Sequence, residues 1–286
     1  MRDHGHVFSL DQMAGVLGVS RRGYYNFIHS PISSRMLENE MLLQTIQAIF
    51  KESGGTYGSP RVHAELRDKG FKGSRQRIAR LMKRYGLQAK MYKKFKKTTP
   101  PSQRHFLQVQ DLVKQNWSVT HPNKVWVADI TFIKVHKKWC YLAVVLDVFS
   151  RKIVGMALKD HMKAELVLQA IAQALNRRKP GTGLIHHSDK GGQYICHDLE
   201  RLAKKQGIHL SYGKSVYDNS VMESFFHTLK TEWVYFKSYQ TLEEARLDIF
   251  QYIFAFYNTK RRHSTLNYQS PQQRENQFYS QKNIYV

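Results

Sequence analysis

The longest dense apolar stretch runs from Lys124 to Leu158 and is cut into three pieces. Lys124 to Val135, Trp139 to Phe149 and Lys152 to Leu158 are each rich in β-branched and aromatic residues. His136-Lys137-Lys138 and Ser150-Arg151 are the short connections between them. Runs of this composition, joined so tightly, predict three strands in consecutive antiparallel hairpins. The apolar period then lengthens to that of a helix. Leu166, Val167, Ala170, Ile171, Ala174 and Leu175 make one stripe of a helix from Met162 to Arg177. Pro180 to Gly183 break it. Leu184 to His187 predict a short strand, 195–206 a helix, Ile208 to Tyr212 a strand and 220–235 a helix. A last helix, Leu242 to Tyr257, buries Ala245, Ile249, Tyr252, Ile253 and Phe256. From Arg261 on, the chain is Gln- and Tyr-rich and basic, and its pattern assigns no element.

Upstream, the pattern is helical. Residues 11–27, DQMAGVLGVSRRGYYNF, predict two short helices about a Gly18-Val19 turn, with Ser20 capping the second. Two readings stay open there, a helix-turn-helix that enters a major groove and an ordinary helical hairpin. A longer helix covers 36–51. Ser59-Pro60 starts another through Lys69, and Ser74 caps a third that ends at Gly86. The organisation expected is a helix-turn-helix-like segment (1–35), a helical DNA-binding domain (36–90), a basic linker (91–115) and an α/β domain (116–286). Three strands, helix, strand, helix, strand, helix is the order of an RNase H-like fold.

Charge sharpens this. Lys plus Arg number 45 against 22 Asp plus Glu in 286 residues, a formal +23. Such an excess speaks of an anionic partner, with nucleic acid first and a membrane surface second. From Lys72 to Lys97 there are eleven basic residues and no acidic one. A solvated helix face usually mixes signs, so this run favours a phosphate-binding surface, with Arg75, Arg77, Arg80, Lys83 and Arg84 as its helical part. No apolar run is long enough to span a bilayer and the N-terminus lacks a secretory core, so a cytoplasmic protein without membrane contact is expected. Two cysteines, Cys140 and Cys196, exclude a disulfide framework and a CxxC-type zinc site.

Three carboxylates remain as candidate chemistry. Asp129 interrupts the apolar run VWVADITFI, where an unpaired carboxylate is costly and needs a cation or a partner. Metal ligation is one reason to keep it, a buried Lys or Arg pair the other. Asp189 follows the strand LIHHS and precedes Lys190-Gly191-Gly192, so it is either a ligand at a strand's C-terminal end or the head of an Asp-led turn. Glu223 lies in Ser220-Val221-Met222-Glu223, which matches a capping box. Helical geometry also sets Glu223, His227 and Lys230 on one face, opposite Met222, Phe225, Phe226, Leu229 and Trp233. Asp218 and Asn219 are the expected caps. Asp147, at a strand end before Ser150-Arg151, is expected to form a turn or pair with Arg151. His186 and His187 read as strand packing first and as ligands or proton shuttles second. An all-carboxylate set suits Mg2+, with Mn2+ as substitute, better than zinc.

The blocks WVADITFI, LIHHSDKGGQY, YDNSVMESFFHTLKTE and YNTKRRHSTL, with TYGSPRVHAEL upstream, resemble the signature blocks of DDE transposases of the insertion sequence three (IS-three) family, second reading frame. The resemblance covers nearly the whole chain in order. It implies a retroviral-integrase-like core in which Asp129, Asp189 and Glu223 are the catalytic, metal-holding carboxylates. Lys230 then corresponds to the basic residue that contacts the element end. It also implies double-stranded DNA as substrate, cleavage that frees 3′-hydroxyls and then strand transfer. Its implied partners are the upstream-frame product and further copies of the chain on DNA. One departure is visible: 33 residues separate Asp189 from Glu223, two fewer than is usual, and a trimmed loop before Tyr217 is expected. The competing readings are a non-catalytic DNA-binding copy and an RNase H-type nuclease.

Overall fold

The computed structural model describes residues 1–29, 33–90, 110–213 and 219–282. Most of the expected basic linker, and the expected cap Asp218, lie outside them. The chain divides into two compact units, Met1–Gln88 and Ala89–Val286.

The first unit is helical. α1 (Leu10–Leu17) and α2 (Arg21–His29) form a hairpin: Ser9 caps α1, Gly18 ends it in the left-handed conformation, and Ser20 Oγ accepts from the Gly23 amide. Only Ala14 of this hairpin is buried. α3 (Ser34–Glu52), α4 (Ser59–Asp68) and α5 (Arg75–Arg84) share a core of Leu42, Ile46, Ile49, Val62, Leu66, Ile78, Leu81 and Met82. Gly58, not Ser59, is the N-cap of α4, which moves Pro60 one position deeper into its first turn. Ser74 caps α5 as expected, accepting from the Arg77 amide.

The second unit is built on a five-stranded sheet in the order β3-β2-β1-β4-β5. β1 (Val125–Val135), β2 (Lys138–Asp147) and β3 (Lys152–Lys159) are antiparallel, while β4 (Ile185–Ser188) and β5 (His209–Tyr212) run parallel to β1. The helices are α6 (Ala164–Arg178), α7 (His197–Gln206), α8 (Ser220–Glu232), α9 (Leu242–Gln251) and α10 (Pro271–Lys282). This is the mixed α/β integrase-core architecture expected, preceded by a helical unit. Alternation along β1 feeds two cores. Val125, Val127, Ile133 and Val135 pack with α8 and α9, whereas Trp126 and Ala128 pack with α6 and α7. α9 passes into a π-helical stretch, Tyr252–Tyr257, so the single helix expected over 242–257 widens in its last turns.

Gly155 lets α6 lie close on β3. A Cβ there would run into the Ala170 carbonyl oxygen and press within 2.9 Å of Ala174 Cβ.

The C-terminal block that the pattern could not assign locks onto this sheet. Asn258 exchanges two hydrogen bonds with the Ile153 backbone, at 2.9 and 2.8 Å. Glu275 of α10, fully buried, accepts from Arg178 (2.8 and 2.9 Å), Lys152 (2.9 Å) and Ser150 (2.9 Å). Asp147 belongs to the same network. It accepts from the Asn123 and Phe149 amides, the latter closing the expected turn, and from Arg178 at 3.4 Å, so its cation is Arg178 and not Arg151, four residues on. Arg261 forms a buried fork with Glu232 of α8, at 2.7 and 2.6 Å.

Two stability measurements check this packing. Gly155→Ala is expected to cost ~1–3 kcal/mol in chemical denaturation, because α6 must move off the sheet. Arg261→Ala, which leaves Glu232 buried without its cation, is expected to cost about 3–5 kcal/mol.

Candidate active site

Each of the three carboxylates is delivered by a different element, and the backbone explains where each one comes. In the β1–β4 ladder, Val125, Trp126 and Val127 pair with Ile185, His186 and His187. The ladder ends there, two residues before Asp129 on β1 and two before Asp189, which directly follows β4. Asp129 falls on the α8 side of β1, by alternation from Val125 and Val127, and α8 packs against β1. On α8, Val221, Met222, Phe225, Phe226 and Leu229 are buried, which leaves Glu223 and His227 exposed. The aromatic face holds the helix down and Glu223 stands free of the core.

The capping box is not formed. Asn219 is the N-cap of α8 and makes no side-chain cap; its Nδ2 donates instead to the Ala128 carbonyl at 3.0 Å. That bond ties the start of α8 to the peptide next to Asp129. Arg261 pins the other end through Glu232. Asp189 follows β4 directly and heads the expected turn, its Oδ1 accepting from the Gly191 amide at 3.1 Å.

The electrostatics link these groups. Half-buried Asp129 is pushed up to about 7, first by burial and then by the negative charge of Asp189. The Ile130 amide, at 2.7 Å from its Oδ1, pulls the other way; Glu223 raises it further and Lys230 opposes. Asp189, at the rim, is also raised by desolvation, against the Gly191 amide. Lys230 is lowered by burial, and the charge of Asp129 acts to restore it. Asp129 therefore feels both other carboxylates and the one cation that shares the α8 face with Glu223.

The remaining candidates divide. His186 is buried and lowered to about 4 by desolvation and by His187, so it is a neutral core residue. His187 Nδ1 shares a hydrogen bond with Ser211 Oγ at 2.9 Å and its ring meets Trp117 edge-on. In the first unit, Arg75, Arg80, Lys83 and Arg84 are exposed on α5. Arg77 is committed to α3, with Asn39 at 2.9 Å and Glu38 at 3.1 Å. Arg35, Arg77, Arg80 and Arg84 line one groove between α3 and α5. Arg35 is not legible in the sequence because it lies 37 residues before the basic run begins at Lys72.

The donor set fits a hard divalent cation. It is carboxylate oxygen throughout, and the charges of Asp189 and Glu223 both reach an Asp whose ionisation burial already opposes. Among the described residues, no three His, Cys, Asp or Glu side chains close into a metal cage of their own. Magnesium-type sites commonly take only one or two carboxylates per ion and complete the shell with water and phosphate oxygens.

Known proteins bear on these observations. Residues 119–216 and 223–278 match families described as Integrase core domain, and residues 37–95 match the HTH-like domain. The chain is 39% identical over 262 residues to the "Insertion element IS600 uncharacterized 31 kDa protein" of Shigella sonnei, covering 91% of this chain and 96% of that one. It is 37% identical over 279 residues to the "Transposase InsF for insertion sequence IS3A" of Escherichia coli (strain K12), covering 96% of both chains. The "Transposase for insertion sequence element IS904" of Lactococcus lactis subsp. lactis is 38% identical over 250 residues, covering 85% and 97%. With identity at this level running the length of both partners, and both domain types in the expected order, the chain belongs to the IS3 family of insertion-sequence transposases.

Proposed function

We propose that this chain acts in DNA transposition as a DDE-type polynucleotidyl transferase in which Asp129, Asp189 and Glu223 hold the divalent ions, Mg2+ with Mn2+ as substitute. The observation that carries this reading is the shared field at Asp129, whose carboxyl responds to Asp189, Glu223 and Lys230 together. A bound pair of such ions supplies activation of a water or 3′-hydroxyl and charge neutralisation on the leaving oxygen. The protein's own part is to hold three carboxylates on strand, strand end and helix, with α8 fixed at both ends. Lys230, seven residues and two helical turns from Glu223 on the same face, holds a DNA phosphate beside the reacting one. The exposed α5 cations Arg75, Arg80, Lys83 and Arg84 bind duplex backbone, and Arg77 braces the helix that presents them. Partners are the ends of the element, the target duplex, further copies of the chain and the upstream-frame product.

Glu223→Gln tests the assignment. Metal-dependent strand transfer on a labelled element end is expected to fall more than about a hundredfold, with the DNA affinity of the protein unchanged. Retention of transfer by this variant contradicts the role given to Glu223.

The raised Asp129 pKa makes a second test. An acid held above its unfolded value, 3.8, is protonated more readily in the folded chain, so ionising it costs stability. The penalty is absent below the unfolded value, grows as pH rises and is complete above about 7. In metal-free protein, Asp129→Asn is therefore expected to raise the melting temperature at pH 8, by the equivalent of about 1–3 kcal/mol, with the gain shrinking toward pH 5. Added Mn2+ should stabilise the wild type and not the variant, as read by the same melts.

A further inference from the structure

On the α6 side of the sheet, the ends of β1 and β2 nearest their connecting turn carry an open aromatic surface. Phe132 is 50% exposed and Trp139 59%, although both lie within strands. The antiparallel register pairs Phe132 with Tyr141 and Lys134 with Trp139, so these four side chains share one face. Phe132 meets Trp139 edge-on at 6.4 Å between ring centroids and Tyr141 tilted at 5.4 Å. A single exposed ring needs no explanation, but a contiguous set marks an interaction surface.

Charge says what it faces. From Ile130 to Leu146 there is no acidic residue, while Lys134, Lys137 and Lys138 are all exposed. The acidic groups at the border, Asp160 and Glu165, lie beyond Lys159, and Lys159 is ion-paired with Glu165. Aromatic faces with lysines between them are how proteins hold unpaired bases and their phosphates. The position also fits. Phe132 is three residues from Asp129 on β1, roughly 10 Å along the strand. The two side chains lie on opposite faces, so the surface does not take the reacting phosphate. Past Val127 no β4 residue pairs with β1; among the described residues Asn219 meets that edge at Ala128 and Tyr239 at Val135, and no strand pairs with it between them. A DNA strand leaving Asp129 reaches the rings by crossing the width of one strand.

We propose that Phe132, Trp139 and Tyr141 form a stacking platform for unpaired DNA bases beyond the reacting end, with Lys134 on the same face and Lys137 in the connecting turn holding the adjoining phosphates. The proposal rests on the DNA-joining reading above and adds to it a preference for a frayed or single-stranded segment.

The test compares a blunt element-end duplex with the same duplex carrying a short single-stranded thymine tail. Affinity is read by fluorescence anisotropy for the wild type and for Phe132→Ala/Trp139→Ala, with strand transfer assayed alongside. The tail is expected to tighten wild-type binding about tenfold and to quench tryptophan emission. The double variant should keep its melting temperature and its blunt-duplex affinity but lose the gain from the tail. Equal wild-type affinity for both duplexes, or a variant weakened equally on both, overturns the platform. A variant that turns from oligomer to monomer in sedimentation while still responding to the tail assigns the rings to contact between copies, and also overturns it. Failure of the transferase reading looks different: joined products would be missing even where the tail effect is present.

Discussion

The constraint that the second unit has to meet is a carboxylate in the middle of an apolar strand. Asp129 sits between Val127 and Thr131 on the face of β1 that α8 covers, where burial and two neighbouring carboxylates oppose its charge. A chain that keeps such a group must either lose stability or supply a cation, and Lys230 answers only part of the charge present. The surrounding architecture reads as what is needed to hold that unfavourable arrangement in place. The parallel pairing of β4 beside β1 delivers Asp189 just past the end of β4, and the aromatic underside of α8 presses Glu223 outward within reach of the same field.

Keeping like charges together requires rigid supports, and those are supplied from far along the chain. α8 is fastened at its start by Asn219 to the Ala128 carbonyl and near its end by Arg261 to Glu232. Arg261 belongs to a C-terminal block that is itself anchored by Asn258 on Ile153 and by Glu275 on Arg178 and Lys152. Cations in this block that would suit DNA by composition are thus spent inside the protein. Arg261 and Arg262 are both buried, and Arg262 donates to the Tyr268 carbonyl. The same division appears in the first unit, where Arg77 braces α5 and its neighbours stay exposed.

What the sequence made legible follows the range of the interactions. The strands, the apolar stripe of α6 and the outward face of α8 rest on local periodicity, and each was readable from spacing alone. Pairings over long separations were not. For Asp147 the local alternative, a turn, is seen in its bond from the Phe149 amide, but the cation expected at Arg151, four residues away, is Arg178, whose other partner Glu275 comes from the segment whose pattern predicts nothing. The capping box at Ser220 was a correct local pattern overridden by Asn219, whose amide is more useful on Ala128 than on its own helix. α10 escaped notice because its inward face is Glu275 with half-buried Gln272, Arg274 and Phe278, which carries no apolar stripe.

The central claim is that three carboxylates, from β1, the end of β4 and α8, serve one pair of metal ions. Manganese anomalous scattering from crystals of the chain bound to its element end measures this directly. The account predicts two manganese peaks about 4 Å apart, touched by Asp129, Asp189 and Glu223. Manganese bound without Glu223, or at a site that excludes Asp129, would contradict it.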